Sequence, residues 1–316
     1  MLTPGKSFIL GYTHDKFGVY NASRQKPIIL FDDFLTISRL IDFKFKVKSS
    51  ALKILSPRSE EYNLRYVFYA MSQLKFDIVD HQRHWISQFS KLKIELPQKP
   101  VQDRIADSID TLNNQIKSLT ALIAKYEAIK KSTVNLLLKP KTGWRCVKLG
   151  DVFEVKVGGD LDLPHYSPNK TLDCRYEIVS NSLANHGHYG YTSLPKFPGD
   201  SITVTGRGNV GHAEYRQEPF DAIVRIVILS PNCAQVCSKF VAELINATDT
   251  FLIESTGVPQ LTAPQISSTS IALPPLDEHR RIVGILDSID GTIRNLKSQL
   301  VKTQNIKEGM MTYFFG

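Results

Sequence analysis

Residues 95–119, ELPQKPVQDRIADSIDTLNNQIKSL, have a second copy in residues 272–300, ALPPLDEHRRIVGILDSIDGTIRNLKSQL. Identical residues meet at an offset of 177 positions, as in Leu96 with Leu273, Arg104 with Arg281, Ile105 with Ile282 and Asp110 with Asp287. A shorter repeat, ILSP, lies upstream at residues 54–57 and recurs 174 positions later at residues 228–231. Two repeats in the same order at nearly the same offset indicate a duplicated unit, a globular domain followed by a helix.

Each copy carries apolar residues at alternating steps of four and three, which is the a/d pattern of a coiled coil. The residues expected to pack are Ile105, Ile109, Leu112, Ile116 and Leu119 in the first helix, and Ile282, Leu286, Ile289, Ile293 and Leu296 in the second. An ordinary core helix is the alternative, but a pattern sustained over four or five heptads in both copies favours the coiled coil. We expect the two apolar faces to pack on each other.

The regions before each helix contain short β-type runs separated by turn residues. The runs are FILGYT, KPIILF, FLTISRLIDFKFKV and ALKILSP in the first region, and VKLGDVFEVKVGG, YEIVS, SITVTG and AIVRIVILSP in the second. One helical stretch is predicted in each region, near NLRYVFYAMSQL and CSKFVAELINA. The sequence therefore predicts an α+β protein with two β-rich domains and two long helices.

The composition indicates a globular protein with a positive net charge. The 316 residues suffice for two ordinary domains, and a hydrophobic fraction of 42% is enough for packed cores. The net charge of +8 fits a polyanion partner, because neutralising phosphates releases counterions, but it equally fits a protein that is merely basic. No apolar stretch reaches the ~18 residues of a membrane span and no signal peptide is evident, so a cytoplasmic protein without a membrane contact is expected.

Residues 206–211, GRGNVG, match the G-x-G-x-x-G pattern of dinucleotide-binding proteins. That site requires a helix directly afterwards, whereas HAEYRQEPFDAIVRIVI alternates like a strand. The sequence instead predicts a glycine-rich turn between strands. Its polar residues Arg207, Asn209 and His212 are of the types that reach base edges or phosphates.

Catalytic and metal-binding patterns are missing from the sequence. It contains neither the N/D-P-P-Y/F tetrapeptide of adenine methyltransferases nor a phosphate-binding loop. The loop NHGHYGYT holds Tyr189 and Tyr191, but no carboxylate or cysteine close by would complete a metal site, so contact with DNA and a solvated loop stay equally open. The four cysteines lack zinc spacing and are expected to be reduced, partly buried thiols.

Three stretches together resemble the specificity subunits of type I restriction–modification systems. They are TGVPQLTAPQISSTSIALPPLDEHRRIVGILDSID from Thr256, GWRCVKLGDVFEVKVGGD from Gly143, and ILFDDFLTISRLIDFKFKVKSSALKIL from Ile29. The resemblance covers essentially the whole chain. It implies a first target recognition domain at residues 1–93, a conserved-region helix at 94–140, a second target recognition domain at 141–271 and a second helix at 272–316.

The resemblance also implies a function. Such subunits read a bipartite double-stranded DNA site, with one domain per half-site, and their helices pack as an antiparallel coiled coil that sets the spacer. Methyltransferase subunits that bind S-adenosylmethionine dock on the helices, while restriction subunits hydrolyse ATP with Mg²⁺. This chain is then non-catalytic and needs no cofactor. The base-reading candidates of the second domain are Tyr189, Tyr191, Arg207, Asn209, His212 and Arg216.

One feature departs from the family pattern. The counterpart of the segment that starts at Trp144 falls before Met1 at the repeat offset, so the first recognition domain is expected to be truncated at its N-terminus. This leaves a second hypothesis, in which the chain is a scaffold that forms a homodimer or assembles partners through its coiled coil without reading DNA.

Overall fold

A computed structural model describes residues 1–5, 7–74, 85, 89–224, 226–248, 250–251 and 260–316. Its strands are β1 (Ile28–Asp32), β2 (Ser38–Ile41), β3 (Leu52–Leu55), β4 (Arg145–Lys148), β5 (Phe153–Val157), β6 (Tyr166–Ser167), β7 (Tyr176–Val179), β8 (His188–Thr192), β9 (Ser201–Thr205), β10 (Ala213–Arg216), β11 (Phe220–Ala222), β12 (Ile226–Pro231) and β13 (Ser270–Leu273). Its helices are α1 (Leu64–Gln73), α2 (Lys99–Leu137), α3 (Leu149–Val152), α4 (Ser238–Ala247), α5 (Ala263–Ser268) and α6 (Leu276–Phe315). Single 3-10 turns lie at Phe89–Lys91, Leu163–His165 and Ala184–Gly187.

The chain divides into two compact units. The first comprises Met1–Ile123 with Asn295–Gly316, and the second comprises Ala124–Arg294. The two long helices α2 and α6 each contribute residues to both units. The predicted combination of β-sheets with two long helices is therefore confirmed. Residues 256–259, which open one of the stretches quoted above, lie outside the described residues.

The first unit is built on an antiparallel sheet in the order β2-β1-β3. The central strand β1 buries both faces: Ile29 and Phe31 pack with Leu64 of α1, while Leu30 packs with Phe45 on the other side. A strand covered on both faces needs a continuous apolar run, which explains why IILF lacks alternation.

The prediction of strands for this unit is correct for β1, β2 and β3 and wrong for FILGYT. Residues 8–13 form no strand, and only a single bridge joins Ile9 to Leu2. Ile9 and Leu10 are about half exposed, so this apolar run has no sheet face to cover. The helical prediction near NLRYVFYAMSQL is confirmed by α1, whose first amides are capped by the Asn63 side chain.

The second unit contains two four-stranded sheets and a two-stranded ribbon. The first sheet has the antiparallel order β10-β9-β12-β5, and the second has the order β11-β7-β8-β6 with β11 parallel to β7. In the ribbon, β13 pairs antiparallel with β4, so Leu273 lies opposite Arg145. Helix α4 packs against the first sheet, where Phe240, Val241 and Leu244 join the main core, and this helix confirms the prediction for CSKFVAELINA.

The predicted coiled-coil positions lie on the shielded faces of both long helices. Ile105, Ile109, Ile282, Leu286 and Ile293 are buried, and Leu112, Ile116, Leu119, Ile289 and Leu296 are half-buried. In the first unit, the beginning of α2 meets the end of α6, because Ile105, Ile109 and Met311 share one cluster. In the second unit, Lys130 of α2 forms an ion pair of 2.8 Å with Asp290 of α6.

The structure repeats as the sequence does. Helix α4 begins 174 residues after α1, and α6 begins 177 residues after α2. In the first unit, Arg65 of α1 pairs with Asp110 of α2 at 2.7 Å. In the second, Lys239 of α4 pairs with Asp287 of α6 at 2.6 Å. Since these four residues are repeat equivalents, each unit attaches its domain helix to a long helix through the same contact.

One repeat-equivalent pair differs in chemistry. Gln102 is buried in the first unit, where its carbonyl accepts a hydrogen bond of 2.9 Å from the Asn63 amide. Its counterpart His279 is completely buried and stacks on the Phe240 ring at 4.2 Å between centroids. Among the described residues, neither imidazole nitrogen has a hydrogen bond of acceptable geometry. Burial lowers the pKa of His279 from 6.5 to about 4, and the Pro274 carbonyl opposes this effect only in part.

Two composition-based expectations can be compared with the structure. No helix in the described part of the chain is long and apolar enough to cross a membrane. All four cysteines are free, but Cys146 is exposed, so the prediction of partial burial is wrong for that residue. Its strand β4 lies at the edge of a two-stranded ribbon, where one face stays open to solvent.

Candidate nucleic-acid interface

The glycine-rich turn at residues 206–211 joins β9 to β10, as predicted, and a strand rather than a helix follows it. Thr205 fixes its base: its amide donates to the His212 carbonyl at 3.0 Å, and its hydroxyl accepts the His212 amide at 3.0 Å. Gly208 and Gly211 have φ of +72° and +87°, which side chains rarely adopt. The turn is thus a hairpin connection, and the helix N-terminus that would bind a dinucleotide is not formed there.

Asn181, in the loop after β7, holds the first half of this turn. Its side-chain oxygen accepts from the Gly206 amide at 2.8 Å and from the Arg207 amide at 3.4 Å. Its amide nitrogen donates to the Arg207 carbonyl. The Asn181 side chain therefore forms hydrogen bonds with two backbone amides and one backbone carbonyl of the turn, which a neighbouring strand would otherwise provide.

The three predicted side chains of the turn differ in their freedom. Asn209 is exposed, and no hydrogen bond of its side-chain amide is formed among the described residues. Arg207 is half-buried and donates from Nη2 to the Gln260 side chain at 2.9 Å. The His212 side chain is 40% exposed, and its Nε2 lies 3.9 Å from Glu214 Oε1. Asn209 is accordingly the most available of the three for a partner molecule.

Arg216 lies beneath this surface. The residue is buried, its Nε donates to the Thr203 hydroxyl at 3.0 Å, and its Nη2 lies 3.0 Å from Glu214 Oε2. Burial lowers the pKa of Arg216, while the charges of Glu214 and Glu177 act in the opposite direction. Nε and Nη2 of this guanidinium are therefore engaged by protein groups, and Nη1 lies 3.8 Å from Glu177 Oε2, so Arg216 acts mainly as an internal support.

Arg216 also contacts the neighbouring loop at residues 184–187. Arg216 Nη2 donates to the His186 carbonyl at 2.8 Å, and the His186 ring lies 2.6 Å from Glu214 Oε1. Residues 185–187 all have positive φ, and a Cβ on Gly187 would lie 2.7 Å from the Ser180 carbonyl. Glu214 therefore links the exposed His186 ring to the buried Arg216, and the loop is held in a conformation that most sequences avoid.

The two predicted tyrosines lie on β8. Tyr189 is 46% exposed and its ring packs 5.9 Å from Tyr166. Tyr191 is half-buried, with its ring 4.9 Å from the imidazole of His188, and it lines a cleft of about 810 Å³. The cleft is also lined by Arg216, so the structure brings these two predicted residues together, whereas Tyr189 lies outside that lining.

Sequence reasoning missed several residues of this surface. Lys170, Arg175 and Tyr176 line the cleft, and the Arg175 guanidinium lies 5.0 Å above the Tyr176 ring. The adjacent basic and aromatic residues in CRYEIVS were an available signal. Asn181 and Gln260 carried none, because their contacts to the turn come from residues that are 25 and 53 positions away.

The surface offers polar, cationic and aromatic groups. Within the described ranges, no group of three or more His, Cys, Asp or Glu residues is placed to hold a metal ion. Amide, guanidinium and imidazole groups around a preorganised turn are suited to reading hydrogen-bond patterns on a partner.

Comparisons with known proteins agree on one family. The family model of the type I restriction modification DNA specificity domain matches residues 141–303. The chain is 27% identical to the specificity subunit of the Escherichia coli restriction enzymes EcoR124I and EcoR124II, over 99% of this chain and 85% of that protein. A putative type I specificity subunit of Mycoplasma pneumoniae is 23% identical, over 83% of this chain and 74% of its own length.

Solved structures share the fold. The S subunit of a type I restriction–modification system from M. genitalium aligns over all of this chain and 88% of its own length, with a TM-score of 0.68 at 17% identity. The HsdS subunit from Thermoanaerobacter tengcongensis aligns over 96% and 84% of the respective chains, with a TM-score of 0.52 at 17% identity. At this level of identity, the likeness concerns the fold alone.

Proposed function

The chain belongs to the family of type I restriction–modification specificity subunits, and from this membership we propose that it is the DNA-reading subunit of such a complex. It binds a bipartite double-stranded DNA site and recruits methyltransferase subunits to its long helices. It performs no chemistry itself. The S-adenosylmethionine, ATP and Mg²⁺ of the complex belong to the methyltransferase and restriction subunits.

The observation that carries the proposal is the duplicated attachment of a domain helix to a long helix. The ion pair of Arg65 with Asp110 in one unit has its repeat equivalent in Lys239 with Asp287 in the other. Two equivalent attachments in one chain suit a protein that presents two domains to two half-sites, as symmetric readers of DNA do.

The long helices are proposed to act as an antiparallel coiled coil that sets the spacer. The early part of α2 contacts the late part of α6 in the first unit, and Lys130 pairs with Asp290 in the second, as antiparallel packing requires. A helix of 39 residues is about 58 Å long at 1.5 Å per residue, which exceeds the roughly 34 Å of one DNA turn.

Base reading in the second unit is assigned to the glycine-rich turn. Asn209 offers an unengaged amide, which is the group that pairs with adenine in two hydrogen bonds. Arg207 and His212 flank it with further donors, and Tyr189 and Tyr191 offer aromatic contacts. We assign Arg216 a supporting role, because its donors bind protein groups.

The deciding experiment compares DNA methylation in cells with and without this chain, in the presence of the cognate methyltransferase subunit. A bipartite methylated motif that disappears with the chain is the expected result. Gel-shift assays of the assembled complex should show sequence-selective, salt-sensitive binding. Assembly with partners but no DNA binding in any combination would favour the scaffold hypothesis instead.

A further inference from the structure

Residues 42–48, DFKFKVK, alternate lysines with apolar residues in the first unit. The backbone here is extended and paired on both sides. The Phe45 amide donates to Tyr20 at 3.1 Å on one side, and the Lys48 amide donates to Leu2 at 3.1 Å on the other. Successive side chains of an extended strand point to opposite faces, so the lysines share one face.

Two of the three apolar residues, Phe45 and Val47, pack in the core of the unit, whereas Phe43 is 46% exposed. Phe45 is only 4% exposed and its ring stacks on Tyr20 with centroids 5.2 Å apart. On the side opposite Phe45, Lys44 and Lys48 are exposed and the Lys46 side chain between them is 26% exposed; we name these three residues the lysine row. Positions two residues apart on a strand are separated by about 6.7 Å.

The row is poorly compensated by acidic groups. Lys46 has an acidic partner, since its ammonium lies 2.6 Å from the Asp15 carboxylate. Within the part of the chain that the structure describes, Lys44 and Lys48 have no carboxylate within 4.0 Å. Other cations of the unit are engaged by the protein: Lys53 pairs with Asp33 at 3.3 Å, and Arg39 lies over the Phe8 ring.

Two ordinary explanations for such lysines fit less well. Lysines often protect an open strand edge against aggregation, but this strand is hydrogen-bonded to Tyr20 and to Leu2 on its two sides. Scattered surface charge would normally mix both signs evenly, whereas this face holds three ammonium groups against the Asp15 carboxylate. Like charges held at fixed spacing repel one another until an anion of matching spacing binds.

We propose that the lysine row binds the phosphates of one strand of duplex DNA. Phosphates rise about 3.4 Å per nucleotide along the duplex axis but follow a helical path, so neighbouring phosphates of one strand lie about 7 Å apart, close to the lysine spacing of about 6.7 Å. Contacts of this kind position a protein on DNA without selecting a sequence. The inference rests on the proposed DNA-reading function and adds to it a contact surface in the first unit that is independent of base reading.

Asp15 acts as an internal counterion in this scheme. Its carboxylate neutralises Lys46 in the free protein, so DNA must compete with it for the central ammonium of the row. Removing the carboxylate should strengthen binding to any duplex, whereas removing the outer lysines should weaken it. We thus expect substitution of Asp15 and substitution of the outer lysines to change the affinity for DNA in opposite directions.

The test measures fluorescence anisotropy of labelled duplexes with the complex of this chain and its methyltransferase subunits. One duplex carries the methylated cellular motif and the other a scrambled sequence. K44Q/K48Q removes two row lysines, and K91Q/K93Q is the control, since it removes two exposed lysines of the same unit at the same spacing. D15N is the variant expected to bind more tightly.

For K44Q/K48Q, the slope of log K against log salt should become shallower by about 1.8. The affinity of wild type should accordingly fall about twelve-fold more than that of the variant between about 50 and 200 mM salt. Both duplexes should be affected equally, so the ratio of their affinities stays unchanged. The control should keep the wild-type slope.

Two results would overturn the inference and leave the proposed function standing: a selective wild-type complex whose slope is unchanged in K44Q/K48Q, or an equal change in the control variant. An altered ratio between the duplexes would also contradict it, because phosphate contacts carry no sequence information. By contrast, a wild-type complex that binds neither duplex would refute the proposed function itself.

Discussion

Acid should destabilise the second unit through His279. The imidazole is completely buried against Phe240, and its pKa is lowered from 6.5 to about 4. Between these two values the unfolded chain binds a proton that the folded chain excludes. Unfolding therefore takes up protons in this window, and stability falls as the pH drops from about 6.5 towards 4.

The size of the effect follows from the two pKa values. Each pKa unit corresponds to about 1.4 kcal/mol, so the full difference between 6.5 and about 4 amounts to roughly 3 to 4 kcal/mol. Between pH 7 and pH 5 the expected loss is about 2 kcal/mol, since protonation of the unfolded state is nearly complete at pH 5 while the folded state stays neutral. Staying above pH 5 also avoids the titration of most carboxylates.

The assay is urea unfolding followed by circular dichroism at pH 7, 6 and 5. Wild type should lose about 2 kcal/mol over this range, and H279L should lose much less because it removes the titrating group while keeping an apolar side chain beside Phe240. H186Q is the matched control, since the His186 side chain is 80% exposed and its variant should keep the wild-type pH dependence. Equal pH dependence in H279L and wild type would refute the reasoning.

Three further predictions concern packing and reading. Ile109→Asp and Leu286→Asp should each cost on the order of 4 kcal/mol or more, because a carboxylate replaces a buried apolar side chain, and co-purification with the methyltransferase subunit should fail. Asn209→Ala should reduce discrimination at one base pair by about 1–3 kcal/mol in competition gel shifts, with binding to scrambled DNA unchanged. Asn181→Ala leaves the Gly206 and Arg207 amides without their acceptor and should weaken selective binding by about 1–3 kcal/mol, whereas an unaltered ratio of selective to non-selective affinity would contradict its role in holding the turn.

The long helices were the most predictable part of the fold. Their apolar residues recur over many turns, so local errors average out. The predicted helix regions 94–140 and 272–316 contain α2 and α6, although the helices begin a few residues later, at Lys99 and Leu276. Short strands were less predictable. The run FILGYT has the composition of a strand, but pairing depends on a neighbouring strand and a buried face, which no local pattern reveals.

The candidate interface likewise has features that the local sequence predicts and features that depend on distant contacts. The glycines of residues 206–211 identified the turn, because positive φ angles at Gly208 and Gly211 are a local requirement. Exposure was not local information. Arg216 has the residue type of a base reader and lies on the edge strand β10, yet its side chain is buried and donates to the Thr203 hydroxyl of the neighbouring strand β9. Asn181 was missed because its contact to the turn depends on how β7 and β9 are arranged in the unit.

The ribbon of β4 and β13 has a consequence for how this protein can change. Among the strands that the structure describes in the second unit, these are the first and the last in the chain, and they lie side by side with Leu273 opposite Arg145. The chain between α2 and α6 therefore begins and ends at adjacent strands. A segment whose two ends are adjacent can be exchanged for another of different length without moving the helices that flank it. Under the proposed function, exchanging residues 145–273 as one block changes the sequence that the second unit reads while both long helices are kept.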